Sequence, residues 1–258
     1  MRPLPFLVSD TSSASPDTPR PAIIVPVIAR SVQEVIERVR TVQHVRGVDA
    51  VEWRVDWLNT MTPAVFDQVF TALAQILRLP LIITVRSGSE GGHVNLSDAD
   101  YASTVHQCIQ VCSVDSSVPY VFDIEYARRD SQDLLFEART RGLPVIASWH
   151  DFHSTPSVKQ IMQTVERMAA AGADVAKVAV MPKTPDDVLS VLTASLQASQ
   201  TVDIPVIILS MGRLGQVTRL YGGEFGSAAT FATAGEISAP GQLSVGQVLS
   251  VLEAPRKQ

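Results

Sequence analysis

The sequence predicts an α/β protein folded as a single-domain (β/α)8 TIM barrel, and three observations predict it. Eight apolar stretches rich in β-branched residues alternate with helix-period segments, about thirty residues apart. Eight such units in a chain of 258 residues fit a closed barrel of parallel strands. A doubly wound open sheet, the structural alternative, would show a glycine-rich phosphate turn after the first strand, and none stands there.

Residues 21–29 are the first strand. Ser31 to Glu34 is a capping-box pattern, and Val32, Val35, Ile36, Val39 and Val42 then recur at helical spacing. Residues 49–57 are strand two, where Glu52, Arg54 and Asp56 alternate and so point to one side. Thr62-Pro63 opens a helix with proline in its first turn, and Phe66, Val69, Phe70 and Leu73 form its buried stripe. Residues 80–87 are strand three, followed by Gly88 to Gly92, which reads as a flexible loop. A helix over 97–111 leads to strand four, residues 120–125, and a helix of mixed polarity leads to Gly142. Strand five is 144–150, Thr155-Pro156 starts the next helix, and strand six is 173–180. Thr184-Pro185 begins a helix whose Asp186 and Asp187 suit its positive N-terminal end. Strand seven is 205–211, a short helix holds Arg219, strand eight is 226–231, and a helix over 244–252 closes the chain.

Residues 1–20, rich in Ser, Thr and Pro, read as a flexible N-terminal arm with a short edge strand, and 21–258 as the barrel. The arm has no long apolar core and does not read as a signal peptide. No apolar run approaches the ~20 residues that span a bilayer, so no membrane partner is expected. A net charge of −5 does not suggest a nucleic-acid surface. Cys108 and Cys112, four apart on a helix, read as reduced core thiols, which fits a cytoplasmic setting. A metal pair would need further ligands nearby, and none is evident.

One residue breaks the pattern of strand six. Lys177 sits in Ala173-Asp-Val-Ala-Lys-Val-Ala-Val180, a run that reads as buried on both faces. Its amine either reaches out or pairs with a carboxylate, or it serves as a nucleophile that forms a Schiff base with a carbonyl. A free lysine is only about 0.1% neutral near pH ~7.4, and each unit of downward shift multiplies that fraction about tenfold, so burial favours such chemistry. Other polar residues collect at strand ends, where barrels place their active sites. Glu52 and Arg54 lie on strand two, Arg86 ends strand three, and Glu90 follows it. Asp123 and Glu125 lie on strand four, and His150 ends strand five. Met211 ends strand seven, and Arg219, Ser238 and Gln242 come later. Singly each has a structural explanation: Arg54 can pair with Glu52 or Asp56, and His150 can be a hydrogen-bonded core residue. An acid, a histidine and a lysine facing one barrel mouth point to catalysis. Among the other histidines, His44, His93, His106 and His153 read as loop or surface residues, with His93 nearest the Glu90 loop.

These blocks resemble the type I 3-dehydroquinate dehydratases of the shikimate and quinate pathways, over about residues 22–252. The marks are Glu52-Trp-Arg54-Val-Asp56, Arg86-Ser-Gly-Ser-Glu90-Gly-Gly, Ser148-Trp-His150-Asp-Phe, Ala176-Lys177, and a tail. The tail runs Ser210-Met-Gly, Thr218-Arg219-Leu, Phe225-Gly-Ser-Ala-Ala-Thr-Phe231 and Ser238-Ala-Pro-Gly-Gln242. Trp53, Trp149 and Thr218 depart from the usual residues without changing a reacting group. The resemblance implies dehydration of 3-dehydroquinate to 3-dehydroshikimate through an iminium on Lys177. It implies His150 as general acid and base oriented by Glu90, and Arg219 as the clamp on the substrate carboxylate. Ser238 and Gln242 would close over the substrate, and Glu52, Arg54 and Arg86 would contact its ring hydroxyls. No cofactor or metal is implied, and a cytoplasmic homodimer is. Two other readings stay open: a Schiff-base aldolase, with a phosphate site near Gly222, Gly223 and Gly226, and a non-catalytic metabolite-binding barrel.

Overall fold

The computed structural model describes residue 4, residues 20–112 and residues 116–254. Its strands are β1 (Ala22–Ile28), β2 (Ala50–Arg54), β3 (Leu81–Thr84), β4 (Tyr120–Glu125), β5 (Val145–Asp151), β6 (Val175–Val180), β7 (Val206–Ser210) and β8 (Ala229–Phe231). Between and after them run α1 (Val32–Val42), α2 (Pro63–Ile76), α3 (Asp98–Val111), α4 (Ser131–Thr140), α5 (Val158–Ala170), α6 (Pro185–Thr201), α7 (Gln216–Tyr221) and α8 (Val245–Leu252). All strand pairs are parallel, in the order β7-β6-β5-β4-β3-β2-β1-β8. Between β7 and β8 the sheet is joined by a bridge from Val206 to Ser227, and the Ala228 N–H donates to the Val206 carbonyl at 2.8 Å. The result is a nearly closed eight-stranded barrel, as the sequence predicts.

The two-residue period of each strand divides the apolar side chains into two cores. Outward residues such as Val25, Trp53, Ile83, Phe122 and Val178 pack against the helices. Inward residues Ile24, Ala50, Ile82, Val121, Ile146, Val175 and Ile207 fill the lower half of the barrel. Further along the same inward rows the chain switches to Glu52, Thr84, Asp123, Ser148 and Lys177, all buried. The barrel is thus apolar at its N-terminal end and ionic at its C-terminal end. Leu4 is buried in the lower cluster; apart from Leu4 and Arg20, the arm read from the sequence lies outside the described residues.

Four local readings are corrected. β2 stops at Arg54, and Asp56 lies in a 3-10 turn over Val55–Trp57; β3 stops at Thr84, so Arg86 stands beyond the strand. The turn lets Asp56 fold back: Arg54 Nε and Nη2 donate to its two oxygens at 2.8 and 2.7 Å, and the Arg86 backbone N–H donates to it at 3.2 Å. The Gly88–Glu90 segment is not a loose loop but a 3-10 turn. The Gly88 N–H donates to the Val94 carbonyl, and the Glu90 and Gly92 N–H groups donate to that of Ser87. A side chain at Gly92 would collide with the Arg86 carbonyl, so the close approach requires glycine there. Finally, α5 is capped by Ser157 in a capping box with Gln160, and Thr155-Pro156 lies before it.

Candidate active site

The nine side chains singled out as site residues line one pocket at the C-terminal mouth: Glu52, Arg54, Arg86, Glu90, His150, Lys177, Arg219, Ser238 and Gln242. Its apolar wall is made by Phe152, Ala179, Leu209, Met211 and Phe231.

Lys177 is buried in the middle of β6 and does not reach solvent. Its Nζ donates to Asp123 Oδ2 at 2.9 Å, lies 3.9 Å from Glu52 Oε1, and sits 4.3 Å from the centre of the Phe231 ring. A charge in a strand interior is stable only when paired and hydrogen-bonded, and here both conditions are met. Asp123, read from the sequence only as a polar outlier, is the hub. It also accepts from Arg86 Nη2 at 2.6 Å and from Ser148 Oγ at 2.6 Å. Its signal in the sequence was a carboxylate on β4, in the inward row that continues Val121. Burial disfavours its charge, but Arg86 and Lys177 outweigh burial and hold its carboxyl well below the usual carboxylate range. Replacing it removes the shared counter-charge of two buried cations. Asp123→Asn is therefore expected to lower the unfolding free energy by about 3–5 kcal/mol. A urea midpoint unchanged from that of the parent protein would refute this.

Arg86 ties the mouth together. Its Nη1 donates to Ser148 Oγ at 2.9 Å, Glu90 Oε2 at 3.3 Å and Glu125 Oε1 at 3.4 Å. Glu125 is further held by the Ser87 N–H at 2.8 Å and by Arg128 Nε at 3.0 Å. Glu52 accepts from Thr84 Oγ1 at 2.8 Å. Arg54 makes the structural ion pair that the sequence left open, with Asp56 as its partner, while still lining the pocket.

Glu90 Oε2 lies 2.8 Å from His150 Nδ1. Burial pushes the Glu90 carboxyl up to about 8, against the pull of Arg86. Burial also pushes His150 well below the ordinary imidazole value, helped by the charges of Arg86 and Lys177. The two groups therefore share a proton and titrate as a pair. An imidazole whose Nδ1–H is held by an ionised carboxylate has Nε2 free to take a proton. Loss of the shared proton produces that state, so kcat/KM should rise with pH through the pair's ionisation. In Glu90→Gln only the depressed imidazole remains, and the acid limb should move to lower pH with a lower plateau. A pH profile in which the limb stays put would remove Glu90 from this role.

Arg219 differs from the other cations. It is buried at the end of α7 and forms no ion pair among the described residues. Nη2 donates to the Pro240 carbonyl at 3.2 Å and Nη1 to that of Phe231 at 3.5 Å, while Nε has no partner. Burial alone draws the guanidinium down to about 10. A cation short of counter-charge at a pocket wall suits a ligand carboxylate. Gln242 Oε1 accepts from the Ser238 and Ala239 N–H groups at 2.8 and 3.3 Å, so these two pocket residues are held together.

Gly222, Gly223 and Gly226 precede β8 at the opposite end of the barrel and do not line the pocket. A side chain at Gly226 would strike Ser199 of α6, so helix packing accounts for that glycine, and the aldolase phosphate site has no support there. His93 is stacked on Trp57, with ring centres 4.3 Å apart, and lies outside the pocket lining. Cys108 and Cys112 are free, buried thiols. Among the described residues no group of three or more histidines, cysteines and carboxylates is placed to hold a metal, and no helix is long and apolar enough to cross a membrane.

Comparison with known proteins identifies the family. A family model described as type I 3-dehydroquinase matches residues 23–258. The 3-dehydroquinate dehydratase of Klebsiella pneumoniae is 38% identical over 238 residues, covering 90% of this chain and 92% of its own. Among solved structures, the type I 3-dehydroquinate dehydratase of Clostridium difficile, with covalently modified comenic acid, superposes with a TM-score of 0.82 at 33% identity. It covers 90% of this chain and 91% of that one. The 3-dehydroquinate dehydratase of Geobacillus kaustophilus gives 0.80 at 32% identity, covering 90% of each chain.

Proposed function

The chain belongs to the type I 3-dehydroquinase family and is a hydro-lyase that dehydrates 3-dehydroquinate; from that premise we propose that the reaction runs through a Schiff base on Lys177, with His150 as general acid and base. The observation that carries this reading is a buried amine and a carboxylate-bound imidazole in the same pocket. The Lys177 amine adds to the C3 ketone, and loss of water gives a protonated imine. The positive nitrogen is an electron sink, which acidifies the neighbouring C2–H. His150 takes that proton, and the electron pair enters an enamine. The C1 hydroxyl then leaves as water with the proton returned by His150. Hydrolysis of the imine frees Lys177 and 3-dehydroshikimate, so the net change is loss of one water.

Asp123, kept ionised by Arg86 and Lys177, serves as the counter-charge to the ammonium and then to the iminium that replaces it. Arg219 takes the substrate carboxylate; Ser238 and Gln242 close the last wall, and Glu52, Arg54 and Arg86 meet the ring hydroxyls. The chain's own lysine supplies the electron sink, so no cofactor is required. A cytoplasmic homodimer belongs to the same proposal, and sedimentation equilibrium reading a monomer would remove the dimer from it. The direct test adds 3-dehydroquinate to the purified protein and follows the ultraviolet absorption of the conjugated enone. Binding without a rise in absorption would favour the metabolite-binding barrel instead.

A further inference from the structure

The segment between β8 and α8 forms one wall of the pocket through Ser238, Ala239 and Gln242. Its neck is closed by the Thr233 N–H donating to the Leu243 carbonyl at 2.9 Å, and its underside by the Pro240 carbonyl, which accepts from Arg219 and from the Gly212 N–H at 3.1 Å. Its outer limb is tied to the neck by Thr233 Oγ1, which donates to the Glu236 carbonyl at 2.7 Å and accepts from the Gly235 N–H at 3.1 Å, and the Glu236 side chain extends beyond that turn. Ile237 is 64% exposed, and Glu236 lines an open hollow together with Arg30, Arg38 and Trp57. Across that hollow, Arg38 Nη2 of α1 reaches Glu236 Oε1 at 3.0 Å, a contact between residues 198 positions apart.

Arg38 is already fixed before it meets the loop. Its Nε and Nη2 donate to Glu34 Oε1 at 3.0 and 2.7 Å, and Glu34 Oε2 accepts from the Arg30 N–H at 2.7 Å. A lone surface pair loses most of its Coulomb energy to the entropy of ordering two long side chains, whereas here one partner is ordered in advance. We propose that Arg38 is a positioning residue for the dehydration, and that its ion pair with Glu236 latches the β8–α8 loop over the pocket. This rests on the reading that the pocket binds 3-dehydroquinate. The latch holds Ser238 and Gln242 in place from outside the site, and it sets how tightly substrate is retained rather than the rate of proton transfer.

The test is a double-mutant cycle of Arg38→Ala, Glu236→Ala and both together, in the full-length protein. Each single change should raise KM roughly two- to five-fold, the scale of a surface pair in a network, with kcat changed less. The double variant should be no worse than the worse single, because one interaction is lost either way. Hydrogen exchange of the loop amides in the ligand-free protein should quicken in all three. Unchanged KM and unchanged exchange, or effects that simply add, would overturn the latch. If turnover with 3-dehydroquinate is absent from the parent protein, the proposed function fails, and the exchange data still decide the latch.

Discussion

Lys177→Ala is expected to abolish both turnover and covalent capture of 3-dehydroquinate by borohydride. Every later step depends on the iminium: without it the C2–H keeps its ordinary acidity, and His150 has no carbanion-stabilising partner to work against. A placement effect alone would behave differently. Lys177→Arg keeps a cation near Asp123 and Phe231 but cannot form the imine, because a guanidinium stays protonated. It should therefore retain much of the fold's stability and still show no adduct. Peptide mass mapping of the reduced parent protein should place the adduct on Lys177. Appreciable turnover in either variant, or an adduct on another residue, would refute the Schiff-base route.

His150→Ala separates the two halves of the reaction. The amine and its Asp123 partner remain, so the imine should still form and still be trapped. Proton removal from C2 loses its positioned base, and turnover should fall by about 10²–10⁴-fold, the usual worth of such a group. The pair with Glu90 also disappears, leaving a raised-pKa carboxyl without its 2.8 Å partner, so the acid limb of the remaining activity should change shape. Trapping lost together with turnover would mean that His150 builds the imine rather than removing the proton. An unchanged rate would take it out of the mechanism.

The pocket was legible in the sequence because its lining includes residues that strand physics rejects. Lys177 in a β-branched run broke the local rule, and His150 near the end of β5, with Arg86 and Glu90 just past β3, collected at the same mouth. Arg219, Ser238 and Gln242 were less conspicuous; their tail motif, rather than their local environment, singled them out. Asp123 was visible as an outlier but had no role, because a carboxylate's role depends on which cations it meets.

The alternation of apolar and helical segments, by itself, determined eight strands and their order along the chain, since period-two and period-3.6 burial are local properties. Only on strand two did polar alternation also mark one side; a strand that is apolar on both faces carries no such signal. Distance and partnership belong to the tertiary structure. Asp123 joins Lys177 and Arg86 from 54 and 37 positions away, Arg54 turns to Asp56 because β2 ends early, and Arg38 meets Glu236, 198 positions along the chain, because β8 pairs beside β1. Ion pairing depends on separations of a few ångströms and on exclusion of water. Closing the barrel sets both at once, and no stretch of sequence carries them alone.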